Sequence, residues 1–415
     1  MAGRKSLGRG FGRLWAAYAV STYGTWLGFG AFPLLAVVVL DAGPAQVAAL
    51  AATGRAVGAV LAVPLGPWVE FRRKRPVMVA MDLVRCGALA SVPAAYLLGW
   101  LGFTQLLLVS VVVAAADIAF RAASGAFLKG LVPPEDLLLA NSRFEATNWT
   151  ASMAGPPLGG AAIGLLGPVT TIFADALSHL LSALGIRAIG GTEPEPARPE
   201  RGRMRAGDLF EGWRHILRHP VLRPLFLNAI AVNGLIMASE PLLAVLLLRD
   251  LGFSAWQYGL VFAAPCVGGL VGSRLAPRLV TRFGDGRVLR AAGVLRSCWS
   301  LGLAFVPSGT AGMVVVMGVQ LGLVASCGVF NPLLATRRLR HTAPDRLART
   351  LAAWSVSASL SIAAMTALWG LLAAVTTPRT ALAAAGVLLL ATPLLLRGAG
   401  TRADAAEEPA PLSGP

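Results

Sequence analysis

The chain has 415 residues, of which 56% are apolar and 13% charged, against roughly 25% charged in an ordinary soluble domain. A mean hydropathy of +0.68 and apolar runs longer than the roughly 18 residues that mark a membrane span place most of it in a bilayer. A soluble enzyme and a DNA-binding domain are excluded, and the net charge of +16 takes its meaning from where the basic residues fall.

Apolar runs between charges, Pro and Gly predict twelve helices, over 14–40, 46–69, 77–99, 105–127, 145–166, 169–190, 224–248, 256–279, 288–307, 310–334, 350–374 and 380–396. In lipid each span must satisfy its own backbone, so runs of this length without strand alternation read as α-helices and the fold class as all-α integral membrane. The basic start (Arg4, Lys5, Arg9, Arg13) leads into an apolar run longer than a signal-peptide core of ~7 to 15 residues, and reads as an uncleaved first span. Of the 36 Lys and Arg residues, the outer loops hold only Arg249 and Arg379, five lie within spans (Arg55, Arg85, Arg121, Arg274, Arg296), and the other 29 fall on one side. By the positive-inside rule both termini are expected in the cytoplasm, with anionic lipid rather than nucleic acid as the basic surface's partner.

The second half repeats the first at an offset of 210 to 211. Gln46 recurs as Gln257, Arg85 as Arg296, Pro134-Glu135 as Pro344-Asp345, and Pro168 as Pro378. Six spans, an even number, separate the copies, so the repeats are parallel, the arrangement in which two halves rock about a midplane site. The expected organisation is a six-helix half over 1–189, a cytoplasmic linker over 190–223 with an amphipathic helix near Asp208–His219, a second half over 224–397 and a disordered tail over 398–415.

The loop after the second span, Gly66-Pro67-Trp68-Val69-Glu70-Phe71-Arg72-Arg73-Lys74-Arg75, resembles the signature of the major facilitator superfamily, with Glu70 for the usual Asp, Phe71 for a basic residue and Arg73 for Gly. In the second half Arg282 and Gly284 keep the basic and Gly positions that the first copy has lost. The segments Asp82-Leu83-Val84-Arg85, Leu131-Val132-Pro133, Ala140-Asn141, Gly155-Pro156-Pro157-Leu158-Gly159-Gly160, Asp175-Ala176-x-Ser178 and Arg218-His219-Pro220 are similar to the branch containing macrolide and siderophore exporters. The resemblance implies a secondary transporter exporting a hydrophobic or amphiphilic small molecule, with proton antiport, in a prokaryotic plasma membrane. It also implies a gating role for Gly66, Glu70, Arg72, Lys74, Arg75, Asp82, Arg85, Gly155, Pro156, Gly159 and Gly160. The first loop acts as a charge latch, Glu70 pairing differently with the basic cluster as the halves open. Gly155 with Gly159, and Gly160 with Gly164, permit close helix approach, which reads equally as gating or as static packing. Thr25 stands where many drug-exporter relatives carry an acid, and Arg121 with Gly125 resembles a fourth-span Arg motif in which Ser124 replaces Gln.

A charge near mid-membrane costs at least roughly 2.5 to 3.5 kcal/mol on insertion scales, so each asks for a role. Arg55 sits about 14 Å into the second span, Asp117 and Arg121 share a face of the fourth, and Glu240 lies about 12 Å below the outer end of the seventh. Glu240 or Asp117 is expected to take up a proton in competition with substrate, with Arg55 and Arg121 tuning them, and Asn233 and Asn331 to offer hydrogen bonds. Asn228 and Gln320 could do the same, and Trp26, Phe29 and Trp354 are candidate cavity aromatics. Asp175 and His179, one turn apart, read as an ion-paired structural couple rather than a proton relay.

The four cysteines, Cys86, Cys266, Cys298 and Cys327, and the four histidines show no metal-ligand spacing. No Gly-rich loop followed by Lys and Ser/Thr occurs, so no ATP chemistry, cofactor, metal or enzymatic activity is expected. Energy then comes from a gradient, and a monomer suffices for alternating access. Two other readings stay open: transport of an anionic metabolite held by Arg55 and Arg121, and a membrane sensor or scaffold that does not transport.

Overall fold

The computed structural model describes residues 7–28, 31–41, 44–190, 193, 210–253 and 255–396, and over them the chain is helical with turns and bends. Nine helices among the described residues are long and apolar enough to cross a membrane. In chain order the helices are α1 (Gly8–Leu27), α2 (Ala31–Leu40), α3 (Pro44–Ala62), α4 (Leu65–Glu70), α5 (Lys74–Leu97), α6 (Phe103–Leu131), α7 (Leu137–Leu166) and α8 (Pro168–Arg187). They continue as α9 (Glu211–Arg218), α10 (Leu222–Val245), α11 (Ala255–Ala263), α12 (Cys266–Phe283), α13 (Asp285–Cys298), α14 (Gly309–Arg340), α15 (Leu347–Val375) and α16 (Pro378–Ala391).

Three predicted spans are broken where continuous helices were expected. The first is split into α1 and α2, with Pro33 in the opening turn of α2; the second breaks at Val63-Pro64, before α4; the eighth restarts after Pro265. Proline has no N–H to give the preceding turn, so each break moves it to a helix start, where that donor is unpaired anyway. The ninth span tightens after α13 into a 3₁₀ turn over Ser300–Phe305. The linker helix, expected from Asp208, is described as α9; residue 208 and the tail over 398–415 lie outside the described residues.

The chain forms two compact units, and they follow packing rather than chain order alone. One comprises residues 1–213 with 342–363, the other 214–341 with 364–415. In the first unit α5 packs on α6 and α8, α1 on α7 and α8, and α3 on α6, around a core that includes Leu35, Leu50, Leu89, Leu106, Val109 and Ile172. In the second, α14 packs on α12 and α13, and α10 on α16, around Val232, Leu235, Leu246, Val316, Trp369 and Leu389.

The sequence repeat is visible in contacts as well as in residues. The Arg85 guanidinium lies over the ring of Phe120, 4.5 Å from its centre, and Arg296 over Phe330 at 3.5 Å. Both the arginines and the phenylalanines are repeat partners, so each unit holds its buried Arg against an aromatic face.

Candidate functional site

Glu70 ends α4 and is 5% exposed. Its partner is Arg349 of α15, whose Nε lies 3.0 Å from Oε1 and whose backbone N–H donates to Oε2 at 3.3 Å. Arg349 also pairs with Glu211 of α9 and lies over the ring of Phe71. Around this triad Gly66 abuts α15, where a Cβ would come 2.8 Å from Ala352 Cβ, and Trp213 Nε1 donates to Ser357 Oγ at 2.8 Å. Burial pushes the Glu70 carboxyl up to about 7, opposed by the Arg349 guanidinium, the Arg349 backbone N–H and Lys74.

This corrects the expected pairing of Glu70 with its own loop. Lys74 Nζ donates to the carbonyls of Val69, Glu70 and Arg72 at 3.0, 2.7 and 2.7 Å, closing the end of α4. The Arg75 side chain donates to Ile189 O, and its backbone N–H to Glu193 at 3.1 Å. Arg72 is exposed and lies over Trp68. The basic residues shape the loop, and Arg349 answers the acid.

A second constellation lies inside the same unit. Arg85 of α5 pairs with Asp82 on its own helix and reaches Asp117 of α6 at 3.2 Å. The other carboxylate oxygen of Asp117 accepts from Arg121 Nε at 2.7 Å. His179 of α8 stands 3.4 Å from Asp82 and 3.5 Å from Asp175, and the Thr25 hydroxyl of α1 donates to Asp175 at 3.4 Å. The sequence couple Asp175–His179 is therefore joined to the Asp117–Arg121 couple through Asp82 and Arg85.

The remaining predicted residues belong to neither of these two constellations. In the second unit Glu240 is exposed and Asn233 exposed on α10, Glu240 within electrostatic reach of Tyr258 of α11, and Asn331 is half-buried on α14. Asn228 is buried; it accepts from Arg296 and donates to Thr392 O at 2.8 Å, so it is a structural bridge. Trp354 is buried, and Trp26 Nε1 donates to Asn148 at 3.3 Å. The Arg55 side chain and Phe29 lie outside the described residues.

In α7, Gly155 and Gly159 meet α1. A Cβ on Gly155 would lie 2.8 Å from the carbonyl carbon of Trp26, and one on Gly159 would overlap the carbonyl oxygen of Leu27. The expected second pair is not a packing pair: nothing lies within 4 Å of a Cβ on Gly160 or Gly164. Helical geometry turns Gly160 by about 100° from Gly159, which takes it off the contact face. Pro156 is half-buried and Pro157 exposed within the unbroken α7.

Sequence reasoning passed over Arg349, and found Glu211 only within the segment Glu211-Gly212, which is similar to the exporter branch, without a partner for it. The available signal was an Arg at the start of an apolar span, in a chain whose loop after the second span carries a lone acid.

The family model described as Major Facilitator Superfamily matches residues 14–336 and 241–413. A multidrug efflux pump, Tap, of Mycobacterium tuberculosis is 27% identical over 287 residues, which span 66% of this chain and 67% of the pump. An MFS-type transporter of Bacillus subtilis is 26% identical over 232 residues, 54% of this chain and 55% of that protein. Among solved structures, a bacterial homologue of the iron transporter ferroportin in an outward-facing state superimposes with a TM-score of 0.78 at 17% identity, over 94% of this chain and 98% of that one. A human organic anion transporter gives 0.77 at 16% identity, over 93% and 99%. These structural likenesses show the fold, and with the repeated helices and the family match they establish that the chain is a multi-pass membrane protein belonging to the Major Facilitator Superfamily.

Proposed function

We propose that the chain is a secondary transporter that exports a hydrophobic or amphiphilic small molecule, such as a drug, antibiotic or natural product, in exchange for protons. The observation that carries this reading is the similarity to multidrug efflux pumps over two-thirds of both chains. The geometry supports it with a parallel repeat of the kind that rocks about a central site and with a buried acid–arginine latch, Glu70–Arg349, suited to hold one of two conformations. Of the two candidate coupling acids, Asp117 is half-buried and Glu240 is the more exposed, and so the more accessible to an exchanging proton. Glu240 is therefore the acid at which proton and substrate compete on this reading. On this reading the chain sits in a bacterial plasma membrane, as the similarity to bacterial transporters supports, with the cytoplasmic termini that the distribution of basic residues supports.

The anionic-metabolite reading is less well supported, because the Arg121 guanidinium already has a carboxylate partner at 2.7 Å. The experiment is retention of lipophilic dyes and antibiotics in cells expressing wild type or Glu240→Gln, with and without a protonophore. Wild type should lower retention several-fold, and either the substitution or the protonophore should abolish the effect. If no compound is depleted, or if depletion ignores the protonophore, proton-driven export of such molecules is wrong.

A further inference from the structure

The outer surface of the first unit carries a groove that export does not call on. Where the start of α5 packs beside the end of α8, a groove of about 360 Å³ is lined by Arg75, Pro76, Val79, Ala80, Leu83 and Arg187. Arg75, Val79 and Leu83 follow one another at spacings of four and form one face of α5 about 12 Å long. Beside it α8 exposes Leu177, Leu181 and Leu184, a stripe that the exposed Arg187 continues at a spacing of three. Both helices are long and apolar enough to cross a membrane, so an exposed apolar stripe on them meets acyl chains. A length of about 12 Å covers most of one leaflet of a hydrocarbon core about 30 Å thick.

The mouth of the groove is basic. The two segments that meet there, residues 70–76 and 184–193, contain Arg72, Arg73, Lys74, Arg75 and Arg187 against Glu70 and Glu193. Glu70 is answered by Arg349, and Glu193 accepts from the backbone N–H groups of Lys74 and Arg75 at the start of α5. The Arg75 guanidinium donates to Ile189 O, which holds it at the end of α8, two residues beyond Arg187. The Arg187 guanidinium makes no hydrogen bond or ion pair with a described residue. The planar fork of a guanidinium matches the oxygens of a phosphate, and basic pockets between spanning helices suit anionic head groups.

The repeat places a groove at the matching position of the second unit, of about 250 Å³ and lined by Arg290, Val294, Pro393, Leu394 and Leu396. Val294 corresponds to Leu83, and Leu394 to Leu184 of the exposed stripe, at offsets of 211 and 210. The cations differ. Arg75 corresponds to Gly286 and Val79 to Arg290, whose Nε donates to Gly286 O at 3.3 Å, while Arg187 corresponds to Arg397, outside the described residues. The groove is thus a product of the repeated fold, and the Arg75 guanidinium at its mouth is particular to the first unit. We propose that the first unit's groove binds one anionic phospholipid, with the phosphate held between Arg75 and Arg187 and one acyl chain laid along Pro76, Val79, Ala80 and Leu83. The bound lipid ties the start of α5 to the end of α8, whatever molecule the chain exports.

The test titrates the purified full chain, in an uncharged detergent, with phosphatidylglycerol or with phosphatidylcholine of the same acyl chains, and counts the lipids retained per chain by native mass spectrometry. Wild type should hold phosphatidylglycerol more tightly than phosphatidylcholine. Arg187→Gln removes an exposed side chain without a partner among the described residues, so it keeps the fold, and it should weaken the tightest-held phosphatidylglycerol about fivefold, the effect of one basic residue near an anionic lipid. Arg278→Gln, at an exposed position of α12 that lines neither groove, should bind as wild type does. Glycerol phosphate, which carries the phosphate without acyl chains, should not displace the lipid at equal concentration. Equal retention of the two lipids would overturn the proposal, as would equal weakening by Arg278→Gln, which would assign the effect to surface charge at large. Displacement by glycerol phosphate would make this a site for free phosphate and overturn the lipid.

Discussion

Arg349→Ala is expected to destabilise the protein by roughly 3–5 kcal/mol at alkaline pH, the cost of leaving one member of a buried ion pair alone, and by less in acid. Glu70 stays buried in the variant, so its carboxyl can only avoid an uncompensated charge by holding a proton. In wild type burial has already raised it to about 7 from an ordinary 4.5, and removal of the guanidinium that opposes this raises it further. A raised acid contributes stability that is complete below its unfolded value and lost as pH rises through its folded value. In wild type that loss runs from about 4.5 to about 7; in the variant the folded value moves up, and the gap between the two proteins widens above about 7, by about 1.4 kcal/mol for every further tenfold weakening of the folded acid. The same linkage makes acid favour any conformation in which Glu70 is buried over one in which it is exposed. Thermal unfolding of the solubilised protein against pH checks this. In a Glu70→Gln background the pH dependence of the Arg349→Ala effect should vanish; a penalty that is independent of pH and unchanged by Glu70→Gln would show that Arg349 acts through Glu211 or packing alone.

Gly159→Ala is the second change expected to have a large effect. Its Cβ would overlap the carbonyl oxygen of Leu27 and stand 3.0 Å from the carbonyl carbon. Neither is the end of a flexible side chain, so α7 and α1 must part. Overpacking of this kind typically costs ~1–3 kcal/mol, and in lipid, where small residues let helix backbones meet, little compensates. Gly160→Ala, one residue on, meets open space and should leave folding and transport near wild type. Folded yield and transport rate of the two variants form a matched pair. Equal loss in both would mean that helix propensity or bending at Pro156-Pro157 governs this segment; equal tolerance would mean that the α1–α7 approach is not tight in the membrane.

The spans and the repeat were legible because both rest on composition and spacing. Twenty apolar residues in a row have few alternatives in a bilayer, and Arg85 with Arg296 marks the repeat whatever surrounds it. The breaks before Ala31, at Pro64 and at Pro265 were less so, since α7, α10 and α14 carry interior prolines without ending; whether a helix stops at proline depends on neighbours that can hold the freed carbonyl. The site was legible as residue types and not as partners. Asp117 with Arg121 and Asp175 with His179 were visible as one-turn pairs, but their union through Asp82 and Arg85 requires three helices. Glu70 was found in its loop, yet its partner lies 279 residues away, beyond any local pattern.

The measurement that bears most directly on the account is proton movement in vesicles containing the purified protein. A gradient of a lipophilic drug or dye is imposed with no initial pH difference, and the internal pH is followed with a trapped indicator. Proton-coupled export predicts that protons move opposite to the drug, in wild type and not in Glu240→Gln. Drug movement that leaves the internal pH unchanged would contradict it.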